Sequence, residues 1–199
     1  MQEINIWRNR HELIDLLGAP FRYINPEVDI RWYETYMESR GNTIRCAIVK
    51  SEDDKILGLA SLTDIDFVNR SAQFHLMIGL EENQNKGLGT FALKEMIQHA
   101  FYNMNLERVE LTVLETNKRA RHLYEKCGFV QEGSKRHSVY KNGRFADMAM
   151  YSILKDEYED KNMYSQALSS FCINMVYSTQ IKYNIPQPMA AIKQKESSY

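Results

Sequence analysis

EENQNKGLGTFALKEM, residues 81–96, places two glycines, Gly87 and Gly89, between an apolar run and a helix-like pattern. Backbone N–H groups at the start of a helix have no intrahelical partners, and the helix dipole adds partial positive charge there. Glycines let an anion approach such amides without a Cβ in the way, so the stretch reads as a pyrophosphate cradle. Three phosphate-binding forms compete for it. A P-loop needs Gly-Lys followed by Ser or Thr after four spacer residues, and that is absent. Gly87-Leu88-Gly89-Thr90-Phe91-Ala92 fits the Gly-x-Gly-x-x-Ala dinucleotide fingerprint, but Glu81–Lys86 separate it from its strand. The chain also holds too few strand–helix–strand units for a dinucleotide-binding sheet. The third form, Gln/Arg-x-x-Gly-x-Gly/Ala, is matched by Gln84-Asn85-Lys86-Gly87-Leu88-Gly89.

Outward from the glycines, the pattern alternates between strand and helix. Residues 28–38 place Ile30, Tyr33 and Met37 on one side of a helix. TIRCAIV (43–49) and KILGLASLT (55–63) are apolar and β-branched, and the polar SEDD between them predicts an antiparallel hairpin. SAQFHLMIG (71–79) reads as a third strand. From Gly87 to Asn103 apolar residues recur at helical spacing, and RVELTVL (108–114) alternates as a strand. A short helix over 117–126 ends at Cys127-Gly128, where a glycine cap is expected. Asn142-Gly143 between two strand-like arms predicts a closing hairpin. Together these elements predict a mixed α/β sheet domain over residues 1–158.

The 199 residues suffice for one domain with a full core and are too few for two comfortable ones. Lys+Arg is 25 and Asp+Glu 26, so no charge excess points to nucleic acid or an anionic membrane. Neither a signal peptide nor a spanning apolar stretch is recognised, and Cys46, Cys127 and Cys172 lack the spacing of a disulfide framework or metal site. The expectation is a cytoplasmic protein without metal, nucleic-acid or membrane partners. Residues 159–199 change character. Met163, Ala167, Leu168, Phe171, Cys172 and Met175 form an amphipathic pattern followed by a polar tail. This extension reads as a docked helix with a loose end, or as a dimerisation segment giving a homodimer.

Downstream, ETNKRARHLYEKCGF (115–129) resembles the Asn-x-x-Ala-x-x-x-Tyr-x-x-x-Gly-Phe signature of the GNAT superfamily of acetyl-CoA N-acetyltransferases. Two motifs in order, separated by one helix and one strand, are far more specific than either alone. The resemblance covers about residues 7–158 and is greatest to the spermidine and ribosomal-protein alanine N-acetyltransferase branch. It implies an α+β fold in three αβα layers, with a mostly antiparallel central sheet whose central strands splay. It also implies that acetyl-CoA is held by Met77, Ile78, Gly79 and Leu80, by the loop Gln84, Asn85, Lys86, Gly87, Leu88, Gly89 and Thr90, and by Asn117, Ala120 and Tyr124. Tyr124 takes the family's place of general acid toward the departing thiolate, and Asn117 either meets the cofactor arm or caps its helix.

An alkylammonium acceptor, with a pKa near 10, must lose a proton before it can attack the thioester. Polyamine-acetylating relatives commonly read Ala-Glu-Phe where this chain has Ala72-Gln73-Phe74, and glutamine cannot take that proton. His75, on the same strand face as Gln73, and Glu115 are the two candidate bases. On the helix expected to wall the acceptor site, Tyr33 and Glu34, with Gln73 opposite, are the substrate candidates; aromatics and carboxylates suit a cationic amine. The best reading is acetyl transfer to a polyamine or other small amine. An amino-sugar nucleotide, a protein N-terminus, and a non-catalytic acetyl-CoA-binding module are the alternatives. Trp7-Arg8-Asn9 resembles a motif that lies in the first helix of relatives, after an N-terminal strand. The first strand is therefore expected to be missing, and the extension after Tyr158 is a candidate to cover the exposed sheet edge.

Overall fold

A computed structural model describes residues 2–39, 41–50, 55–79, 86–158 and 179–182. Three helices come first: α1 (Gln2–Arg8), α2 (His11–Ile14) and α3 (Pro26–Glu38). Strands β1 (Ile44–Lys50), β2 (Ile56–Asp66) and β3 (Ser71–Ile78) follow, and then α4 (Leu88–Gln98), which runs into a π-helical turn over His99–Asn103. Next come β4 (Arg108–Leu114), α5 (Lys118–Lys126), β5 (Val130–Lys141), β6 (Arg144–Leu154) and β7 (Thr179–Lys182). The sheet order is β5-β6-β4-β3-β2-β1-β7. Every neighbouring pair is antiparallel except β3 and β4, which run parallel. This is the mixed, three-layer α+β arrangement expected from the sequence.

Residue alternation along the strands decides which layer covers which face. Cys46, Ile48, Leu62, Phe74, Val109, Leu111, Tyr151 and Ile153 face one side, where Ala92, Leu93, Met96 and Phe101 of α4 and its π-helical turn complete the main core. Ile4, Trp7 and Leu13 pack against Leu59 and Met77 on the other side. Trp7 lies so close to the sheet that a Cβ on Gly79 would stand 2.0 Å from its ring. Asp29 of α3 is fully buried, paired with Arg8 and accepting 2.7 Å from Asn5 Nδ2, which ties α3 to α1. A buried carboxylate needs such a partner, because unpaired it would carry a large desolvation cost.

The Asn142-Gly143 turn has positive φ at both residues, 50° and 80°, as the two-residue hairpin requires. The edge of β1 that the sequence left open carries β7, paired through Ala47–Lys182 to Lys50–Thr179. The SEDD turn (51–54) and the amphipathic pattern over 162–176 lie outside the described residues. Among those described, no helix is long and apolar enough to cross a membrane, and no cluster of His, Cys, Asp or Glu could hold a metal ion.

Candidate active site

β3 and β4 share a ladder only from Ser71–Gln73 to Arg108–Glu110. Beyond it they part, although β3 stays paired with β2 up to Ile78 and β4 with β6 up to Leu114. A gap therefore opens toward the carboxyl ends of this parallel pair, where ligands bind in open sheets of parallel strands. The N–H of Gly79 donates to Leu57 O at 2.9 Å, toward β2. By alternation the Met77 amide also points to β2, while those of Leu76 and Ile78 face the gap. Within the expected stretch Met77–Gly79, the Ile78 amide is thus the one able to meet a group in the gap. Leu80, Gln84 and Asn85 lie outside the described residues.

Gly87 is the N-cap of α4 at φ 81°, without a side-chain cap. The first intrahelical bond runs from Phe91 N to Gly87 O, leaving the amides of Leu88, Gly89 and Thr90 ahead of it. A Cβ on Gly87 would meet nothing within 4 Å among the described residues, which leaves these amides uncovered by them. At Gly89 it would lie 3.1 Å from Leu123 Cδ2, so the second glycine serves the packing of α4 on α5. Lys86 and Gly87 are exposed. An open helix start with a cation beside it fits the anionic pyrophosphate arm of acetyl-CoA.

The end of α5 accounts for the Tyr-x-x-x-Gly-Phe spacing. Gly128 is left-handed at φ 102°, with its N–H bonded to Glu125 O and that of Phe129 to Tyr124 O, both at 3.0 Å. This is a Schellman cap, in which the residue after the glycine folds back on the third residue from the helix end. Here that contact joins the rings of Phe129 and Tyr124, with centroids 5.9 Å apart. The Tyr151 ring flanks Tyr124 at 6.3 Å, and its hydroxyl accepts from Arg121 Nε at 3.0 Å and donates to Glu125 at 2.7 Å. Burial pushes the Tyr124 phenol up to about 12, so it holds its proton at neutral pH. Asn117 caps α5 by accepting from Ala120 N at 3.1 Å, which occupies the Ala120 amide, and its Nδ2 donates to Leu16 O at 2.9 Å.

A cavity of about 400 Å³ lies where the end of β4 meets the tip of the β5–β6 hairpin. Asp15, Glu115, Lys141, Arg144 and Asp147 line it. Glu115 follows β4 directly, and among the described residues its carboxylate takes no hydrogen bond or ion pair. The other expected residues sit elsewhere. His75, Gln73, Tyr33 and Glu34 are not among the lining residues. His75 is exposed on the opposite strand of the gap, with Nε2 2.9 Å from Thr63 Oγ1. Crowding by its neighbours, then the charge of Arg45, holds its pKa below the ordinary imidazole value, against the opposing pull of Asp64. Arg45 also occupies the aromatic faces of α3, at 4.9 Å from the Trp32 centroid and 5.5 Å from that of Tyr36. Those rings already carry a cation of the protein. Asp15, Lys141, Arg144 and Asp147 were not singled out from the sequence, and no local spacing marks them.

Residues 4–130 match the model of the acetyltransferase (GNAT) domain. The chain belongs to the GNAT acetyltransferase family. It is 33% identical over 121 residues to spermidine N(1)-acetyltransferase of Vibrio cholerae, spanning 61% of this chain and 69% of that protein. It is 36% identical over 107 residues to YdaF of Bacillus subtilis, named for ribosomal N-acetyl transfer, spanning 54% of this chain and 58% of that one. The crystal structure of the Vibrio cholerae spermidine N-acetyltransferase in complex with CoA and spermine superposes with a TM-score of 0.73 at 26% identity. That match covers 79% of this chain and 91% of the other. As a GNAT member, the protein is an acetyl-CoA-dependent N-acetyltransferase that acts on an amine.

Proposed function

We propose that this GNAT enzyme acetylates a primary amine of a small molecule, a polyamine or a similar cation, which enters the cavity beside Glu115. Acetyl-CoA supplies the thioester that the amine attacks. The Ile78 amide, directed into the gap, is the donor for the thioester carbonyl, and a preorganised donor of this kind typically contributes about 3 kcal/mol. Glu115 takes the ammonium proton, and Tyr124 gives a proton to the departing thiolate. The observation that carries the reading is the placement of Glu115, a carboxylate at the carboxyl end of β4 that feels the charge of Arg121, in the lining of a cavity with Asp15, Lys141, Arg144 and Asp147. His75 lines no part of that cavity. The polyamine reading draws further support from the relatives named for spermidine.

Acetyl-CoA-dependent thiol release tests it, with spermidine, a UDP-linked 4-amino sugar and a peptide with a free N-terminal alanine as acceptors. Release with spermidine alone is the expected result. Release with only the sugar or the peptide would overturn the small-cation reading while leaving the family's chemistry in place.

A further inference from the structure

The segment after α2 is held to the rest of the molecule by side chains more than a hundred positions away. Lys141 Nζ donates to Ile14 O at 2.6 Å, Leu17 O at 2.7 Å and Ala19 O at 2.9 Å. Next to it, Asn142 Nδ2 donates to Asp15 Oδ2 at 3.1 Å. From the other side, Asn117 at the head of α5 donates to Leu16 O. Gly18 closes the contact, since a Cβ there would stand 2.6 Å from Met148 Cε. Lys141 adds a second donor to Ile14 O, which also accepts from Leu17 N at 3.0 Å, and it reaches Leu17 and Ala19 beyond the end of α2. A cation at the end of this four-residue helix also suits the helix dipole. One ammonium with three protons meets three converging carbonyls.

We propose that Lys141 is a positioning residue for the acceptor: by gathering the carbonyls of Ile14, Leu17 and Ala19 it fixes the 14–19 segment and so holds Asp15 in the lining of the cavity, as the wall facing the hairpin. The Lys141 charge is spent on these carbonyls, so its effect on the acceptor passes through the wall it holds. Asn117 joins the same segment to the helix that carries Tyr124, so acceptor wall and acid are held in one frame. The inference rests on the reading that the cavity takes the acceptor. Positional error of about an ångström in such a wall is enough to change rates by up to about 100-fold.

The test is steady-state thiol release by the full chain for Lys141→Met and Asn142→Gly, with KM measured separately for acceptor and acetyl-CoA. Lys141→Met is expected to raise the acceptor KM about 10-fold or more while the KM for acetyl-CoA stays within about twofold. Lys141→Arg, which keeps charge and donors, recovers part of that loss. Asn142→Gly keeps the hairpin turn and removes the bond to Asp15 together with one lining side chain, so a rise of about two- to threefold is expected, and this variant stands in if Lys141→Met does not fold. An unchanged acceptor KM in the folded variants, or an equal rise in both Michaelis constants, would overturn the proposal. Glu115→Gln, measured in parallel, separates the two readings. If it is impaired while the Lys141 and Asn142 variants are silent, the clamp alone fails; if it is also unimpaired, the cavity reading fails with it.

Discussion

At the cofactor end of the gap, each fixed feature is made by residues a few positions apart. Gly87 opens the start of α4, Asn117 caps α5 through Ala120, and Gly128 turns Phe129 back onto Tyr124. At the acceptor end the contacts join residues 101 to 127 positions apart, as between Asn117 and Leu16 or Lys141 and Ile14. Local features leave a mark in the sequence, because a given turn or cap accepts few residue types. Long-range contacts leave none, because a lysine that meets three distant carbonyls looks like any other lysine until the chain is folded. The difference also bears on function. On the proposed reading, the first end serves the cofactor and the second the acceptor.

The largest effect that can break this comparison belongs to Tyr124. Tyr124→Phe should lower kcat about 100- to 1,000-fold in thiol release while coenzyme A still raises the melting temperature as it does in the wild type. Loss of the thermal shift together with rate would mean that Tyr124 holds the cofactor. Gly79 offers the next largest effect, on stability. The Trp7 ring fills the place of its side chain, so Gly79→Ala should cost about 2–3 kcal/mol in urea unfolding. A stable variant that binds coenzyme A poorly would instead make Gly79 a cofactor residue.

A smaller effect concerns alkaline pH. The Tyr124 phenol is raised to about 12 in the folded chain, against about 10 when unfolded. Its contribution to stability is therefore complete below pH 10 and lost as the pH rises toward 12. Unfolding free energies measured at about pH 9 and about pH 11 should fall more steeply for the wild type than for Tyr124→Phe, and equal slopes would contradict the burial of this phenol. The smallest effect is assigned to His75. With the ring outside the cavity lining, His75→Gln should leave thiol release within about twofold and the acid limb of its pH profile unmoved. Removal of that limb would return the base to β3.

The same division explains what could be read before folding. The succession of strands and helices, the glycine start of α4, the Asn-Gly hairpin and the cap at Cys127-Gly128 all follow from short patterns, and each stands close to its expected place. Glu115 was legible only as one of two candidate bases with His75, and of the two it is Glu115 that lines the cavity. The aromatic helix is ambiguous in the sequence for a physical reason. Trp32 and Tyr36 do stack on a cation, but it is Arg45, brought to them by β1. A ring face in a sequence does not say whether its cation belongs to the protein or to the substrate.

The most direct test of the account is a paired measurement on Glu115→Gln: the rise in melting temperature with coenzyme A, and thiol release with the acceptor that the wild type uses. The account predicts an unchanged thermal shift and a release rate lower by about 100-fold at pH 7, recovering as the pH is raised and the amine loses its proton in solution. Wild-type release by this variant would show that the acceptor proton leaves by another route, and that the cavity beside β4 is not where the amine reacts.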